Sequence, residues 1–173
     1  TDSRYLLAGA SDASIAVYDI EQATNYDHIL KTSKHEALFV VDKGVQLGHR
    51  YCVSCVNWYP IDTGIFITGS FDHFVNVWDT NTTQVGPIRI AFISHSCSFE
   101  SPGAAYYPFS QSCSFSCQVE LQFNMSKKVY AISMSSLATT HMLIATGTED
   151  TRVRLCDIAS GAFTHTLTGH RGL

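Results

Sequence analysis

Apolar and polar residues alternate in short runs along this chain, and the runs come in pairs hinged on an aspartate. Three segments follow one plan: 7–19, 67–79 and 144–157. Each has a small apolar run, a turn closed by Asp12, Asp72 or Asp150, an alternating run, and an ending in Tyr18-Asp19, Trp78-Asp79 or Cys156-Asp157. A period of two is the mark of a strand with one face buried. The pattern predicts strands at 5–9, 14–20 and near 37–41, then 51–58, 65–69 and 73–79, then 128–135, 142–147, 152–158 and 162–167. Residues 21–36 are polar and unpatterned and read as a loop. No window reaches the run of about eighteen apolar residues that a membrane-crossing helix needs.

Two connecting stretches carry Gly-His, at 48–49 and 169–170. Gly-His leading to Trp-Asp resembles the WD40 repeat, one four-stranded blade of a β-propeller. The expected fold is therefore all-β, a WD40 propeller fragment of about two to three blades of an expected seven. Its parts are a truncated first repeat with a polar loop (1–47), a repeat with a complete motif (48–84), an irregular insertion (85–118), a degenerate repeat (119–168) and the opening of another (169–173). The chain starts at Thr1 and stops just past Gly169-His170, so both ends are expected to be cut. Exposed strand edges are expected at both.

The repeat interval exposes the insertion. The turn aspartates lie 60 and 78 residues apart, whereas propeller repeats recur at about 40–45. Removing the 34 residues 85–118 brings the second interval to 44 and the His49–His170 spacing to 87, close to two repeats. That stretch holds eight Ser, four Phe and three Cys but only two charged residues, Arg89 and Glu100. Val85 requires a codon beginning GT, Gln118 admits CAG, and the intervening Ser-Cys-Ser-Phe-Ser-Cys admits a pyrimidine tract. The stretch reads as a retained in-frame intron or gene-model error, with a genuine disordered loop as the alternative. Either way, the fourth strand of the middle blade is delayed to 119–124.

Composition narrows the function classes. Net charge is −4, and the eleven Lys and Arg are scattered through the sequence, so no direct nucleic-acid binding is expected. Nothing suggests a membrane partner. Cys52 and Cys55 form Cys-x-x-Cys within an expected strand, where residues three apart face opposite ways, so neither a shared metal nor a disulfide is expected. No catalytic, cofactor or metal site is expected, and the protein reads as a non-enzyme. His95 with Cys97 offers the elements of a nucleophile, but neither sits on a patterned element.

His49, Thr68, Asp72 and Trp78 occupy the positions of the hydrogen-bond tetrad that the WD40 resemblance implies. Base, orienter and hydroxyl also match the parts of a catalytic triad; the spacing favours a structural relay. The third repeat keeps only Thr146 and Asp150, with Cys156 for Trp and Ser126-Lys127 near the expected Gly-His. The first has Ala8 and Tyr18 at the Thr and Trp positions. Asp12, Asp19, Asp79, Asp157 and His170 complete the set of repeat-marking residues.

The run Trp58-Tyr-Pro-Ile-Asp-Thr-Gly64, the run Ser70-Phe-Asp with Trp78-Asp-Thr-Asn-Thr82, and Val153-Arg-Leu-Cys-Asp-Ile-Ala-Ser-Gly161 together resemble the Cockayne syndrome group A family, in its plant branch. The resemblance covers 1–84 and 119–173. It implies a nuclear, non-catalytic substrate receptor of a cullin-4 RING ubiquitin ligase acting in transcription-coupled nucleotide excision repair. The implied partners are the ligase's damage-specific DNA-binding adaptor and the repair factors at stalled polymerase. Adaptor-binding relatives often carry Trp-Asp-x-Arg; here Asn81 and Ala159 stand at the Arg position. The alternatives are a WD40 interaction scaffold of another pathway and a non-functional truncated isoform.

Overall fold

The computed structural model describes residues 4–21, 25–29, 31–43, 45, 47–61, 64–80, 89–91, 118–137 and 140–171. Every regular element in it is a strand. The first sheet contains β1 (Tyr5–Gly9) and β2 (Ile15–Asp19). A small separate hairpin, β3 (Asn25–Asp27) with β4 (Thr32–Lys34), precedes its third strand, β5 (Ala37–Val41). The sheet order is β1-β2-β5, all antiparallel. The hairpin corrects the reading of 21–36 as an unstructured loop: three residues on each side suffice to pair, and so short a run shows no measurable alternation.

The second sheet contains β6 (Val53–Trp58), β7 (Ile65–Ser70) and β8 (Phe74–Asp79), with β9 (Arg89–Ala91) and β10 (Gln118–Asn124). Its order is β6-β7-β8-β10-β9. β10 pairs antiparallel with β8, from Gln118 opposite Asp79 to Asn124 opposite Phe74, and so stands as the blade's fourth strand. The intron reading of 85–118 falls almost wholly outside the described residues. Where they meet, Arg89–Ala91 forms a strand parallel to 121–123, and Gln118 is the first residue of β10. The third sheet is a four-stranded meander of β11 (Val129–Met134), β12 (Leu143–Thr148), β13 (Val153–Asp157) and β14 (Ala162–Leu167). Cys52 falls just before β6 rather than inside a strand, and a register shift between Val53 and Cys55 interrupts the pleat there. Neither cysteine is in a disulfide.

The sheets stack face to face as blades, and the middle one is covered on both sides. Phe66, Trp78 and Val119 join Leu7, Ile15, Val17, Val41 and Val53 in the core between the first and second blades. Ile67, Val75, Val77, Leu121 and Phe123 join Met125, Val129, Ile144 and Cys156 in the core between the second and third. Two covered faces explain why Phe66 to Ser70 are all buried, while β2 and β13 keep an alternating pattern. Phe66 stacks on Trp78 (5.8 Å between ring centroids, 10° between planes) and meets Trp58 edge-on at 5.6 Å. The Ser54 hydroxyl reaches across to the Val129 carbonyl at 2.6 Å.

Each blade carries a glycine at the last or next-to-last position of the strand before its Asp-closed turn: Gly9, Gly69 and Gly147. At the first two the missing side chain is what lets the next blade approach. A Cβ on Gly9 would lie 2.6 Å from Val53 Cγ1, and one on Gly69 2.7 Å from both Cys55 Sγ and Val129 Cγ1. At Gly147 the nearest atoms lie 3.9 Å away. Overpacking of a filled interface costs about 1–3 kcal/mol. Gly69→Ala should therefore destabilise the protein by about that amount, and Gly147→Ala by less than about 0.5 kcal/mol. Urea unfolding of the two variants checks the contrast.

A buried tetrad and the rim above it

The structure brings His49, Thr68, Asp72 and Trp78 together in the middle blade. His49 comes from the connection into β6, Thr68 from β7, Asp72 from the β7–β8 turn and Trp78 from β8. The Trp78 Nε1–H donates to Thr68 Oγ1 at 2.8 Å. Thr68 Oγ1 lies 2.7 Å from His49 Nε2, and His49 Nδ1 lies 2.9 Å from Asp72 Oδ2. One tautomer closes the chain: Thr68 donates to Nε2, and Nδ1–H donates to the carboxylate. Asp72 also accepts the Arg50 and Phe74 N–H groups, each at 3.0 Å, so it fastens the incoming connection to the turn. His49 is 1% exposed, and Thr68 and Trp78 are 0% exposed. A hydroxyl enclosed in this way has no approach for a substrate, which turns the triad-like composition to structural use.

Two buried amides extend the network. Gln122 Nε2 donates to Asn76 Oδ1 (2.9 Å), and Asn76 Nδ2 donates to the Leu47 carbonyl (3.0 Å). They tie β10, β8 and the connection before His49 into one unit. Their sequence signal is only a polar residue at an inward position of each strand.

The third blade solves the same problem with other residues. The His position is taken by Met125, fully buried, and not by Ser126-Lys127 as the sequence suggested. Thr146 Oγ1 sits 3.6 Å from Met125 Sδ and donates to the Arg154 carbonyl at 3.0 Å. The miss has a plain cause, since a thioether in place of an imidazole leaves no Gly-His to align. Asp150 does not turn toward that pocket. It receives Arg154 Nη2 at 2.6 Å, Arg154 Nη1 at 3.1 Å and the Thr148 hydroxyl at 2.6 Å. Arg154 was not singled out from sequence, although alternation with Cys156 already places it on the inward face. Burial pushes the Cys156 thiol up to about 12, which leaves it inert as a nucleophile.

The remaining predicted residues serve turns and ends. Asp12 Oδ1 accepts Ser14 N–H (3.0 Å) and Oγ–H (2.7 Å), a local closure of the β1–β2 turn. Asp19 is buried and held by Arg4 Nη2 at 2.6 Å. Asp79 ends β8 opposite Ile65 and Gln118. Asp157 accepts Ser160 Oγ–H at 2.7 Å. His170 is exposed and joins no tetrad among the described residues. Ala159 lies in the exposed turn after β13, and Asn81 falls outside the described residues. Among those residues no group of three or more His, Cys, Asp or Glu side chains is arranged to hold a metal. Among the described residues no helix is long and apolar enough to cross a membrane.

Fold and tetrad together define a WD40 repeat protein, and residues 42–79 match the family model for the WD domain, G-beta repeat. The chain is 47% identical over 171 residues to WD repeat-containing protein ATCSA-1 of Arabidopsis thaliana, covering 99% of this chain and 30% of that protein. The resemblance read from 58–82 and 153–161 thus extends over nearly the whole chain, and to a plant protein. More distant similarities are to Radiation-sensitive protein 28 of Saccharomyces cerevisiae (31% over 80 residues; 46% of this chain, 15% of that one) and to Nuclear distribution protein PAC1 of Komagataella phaffii (30% over 95 residues; 54% and 16%). The chain spans less than a third of the length of each of these relatives.

Two outcomes follow from the network. Trp78→Phe and Thr68→Val should each cost about 1–3 kcal/mol, because each leaves a buried polar partner unsatisfied. The double variant should cost clearly less than the sum, as a double-mutant cycle in urea would read. The second concerns acid. Burial opposes ionisation of Asp72, but the His49 ring and the Arg50 and Phe74 N–H groups outweigh it and hold its carboxyl below the usual range. Arg154 holds Asp150 lower still. Carboxyls depressed in the folded state contribute stability in full above their unfolded pKa of about 4, and lose it as pH falls through the folded value. Urea midpoints should therefore drop below about pH 4, and Asp72→Asn should lower the neutral midpoint and flatten that drop.

Proposed function

We propose that this chain is part of a nuclear WD40 substrate receptor of a cullin-4 ubiquitin ligase in transcription-coupled nucleotide excision repair. The observation that carries the reading is the 47% identity to ATCSA-1, sustained over 171 residues. A generic propeller resemblance gives about 30% over half the chain, as with PAC1. On this reading the chain supplies surface and no chemistry. Its His, Thr and Asp are consumed in the buried tetrad, and ubiquitin transfer belongs to other subunits. Its partners are the damage-specific DNA-binding adaptor and the repair factors at stalled polymerase, contacted through protein surfaces and without direct nucleic-acid binding. Thr80-Asn81 and Ile158-Ala159 lack the Arg that often follows Trp-Asp in adaptor-binding repeats, so neither described repeat supplies that contact.

Tagged full-length protein carrying this segment should co-precipitate the cullin-4 adaptor from nuclear extract. Cells lacking it should recover RNA synthesis slowly after ultraviolet damage. Absence of the adaptor from the precipitate together with normal recovery would favour a WD40 scaffold of another pathway.

A further inference from the structure

A strand buried on both faces is at home inside a sheet, with a hydrogen-bonding neighbour on either side. β10 is buried on both faces, yet it is the outermost of the four antiparallel strands of its blade. Val119 packs into the core shared with the first blade, and Leu121 and Phe123 into the core shared with the third. Gln122 is buried against Asn76. The outer strands of the other two blades differ: β5 exposes Leu38 and Val40, and β14 exposes every residue but Phe163.

On its outer side β10 would present backbone N–H and C=O groups along an apolar strand, a template for pairing with another chain. Two devices divide that edge between them. The half at 118–120 is blunted within the strand itself. Its register with β8 shifts between Val119 and Leu121, and Glu120 between them is exposed. A bulge and a charge both spoil an edge for pairing. The other half, 121–123, has neither, and these three residues are the ones β9 covers. Leu121 lies opposite Arg89, Gln122 opposite Ile90 and Phe123 opposite Ala91. β9 runs parallel to β10, and parallel neighbours need a connection of about a dozen residues or more. The 26 residues 92–117 supply it, where a short loop would have delivered an antiparallel strand.

We infer that β9 is an edge guard, which occupies the hydrogen-bonding edge of 121–123 and keeps a second copy of the chain from pairing there. The bare edge is self-complementary: two copies of 121–123 related by a two-fold axis pair antiparallel and join two middle blades into one sheet. Glu120 and the bulge confine that pairing to the stretch that β9 covers. The inference concerns self-association of the chain and holds whether or not the repair reading does.

Ile90→Pro and Ala91→Pro in the full chain test it. Neighbouring residues of a strand turn their N–H groups to opposite sides, so one of the two prolines removes a donor from β9 to β10. Sedimentation velocity over a range of concentrations should show more dimer for at least one of them than for the wild type. Ile90→Ala, which keeps the backbone donor, should follow the wild type. In the dilute proline variant the amides of 121–123 should exchange about fivefold faster than in the wild type, the weight of one backbone hydrogen bond. They should slow again as concentration rises and the second copy takes the edge. No added dimer in either proline variant overturns the inference. So does added dimer with exchange at 121–123 independent of concentration, since the contact then runs through another edge. Altered Trp emission in both variants also overturns it, because β9 would then be part of what folds the blade rather than a guard upon it.

Discussion

Burying the Trp78 indole is the constraint on which the middle blade depends. An indole N–H enclosed without a partner costs on the order of 1–3 kcal/mol. Thr68 meets it, but the hydroxyl has one proton of its own and must place it in turn. His49 takes that proton, and Asp72 takes the proton on the other side of the ring. Asp72 is the point where the chain of donors ends, and it also accepts the N–H of Phe74 just past its own turn and that of Arg50 in the incoming connection. Satisfying one buried group thereby fixes a strand, a turn and the connection from the previous blade.

That fixation matters because the middle blade is the only one of the three with both faces covered by described neighbours. Phe66 and Trp78 look toward the first blade, Ile67, Val75 and Val77 toward the third. The neighbours have weaker internal ties. The first has Ala8 and Tyr18 where the relay would run, and the third replaces the imidazole by the Met125 thioether and the carboxylate contact by an Arg154–Asp150 pair. A complete relay in the blade with most to organise, and partial ones beside it, is a coherent division of stabilisation.

The fold was legible because strand alternation and the Asp-closed turn survive even in degenerate repeats: β11 to β14 were all placed within about two residues from the pattern. The tetrad of the middle blade was legible as four residue types at fixed spacing. What escaped the sequence was substitution that keeps a volume and changes a chemistry. Met125 occupies an imidazole's place with no motif to announce it, and Arg154 answers Asp150 from an inward position that composition alone would call solvated. The short β3–β4 hairpin escaped for another reason, since three residues hold too little periodicity to distinguish strand from loop.

Amide hydrogen exchange of the full chain, compared with His49→Ala, tests the central claim most directly. If the relay organises the stack, the variant should lose protection in β6 to β8 and also at the facing strands β1 and β11, which contact the middle blade without touching His49. Loss confined to the turns around residues 49 and 72, with β1 and β11 as protected as before, would contradict the account and reduce the tetrad to a local turn lock.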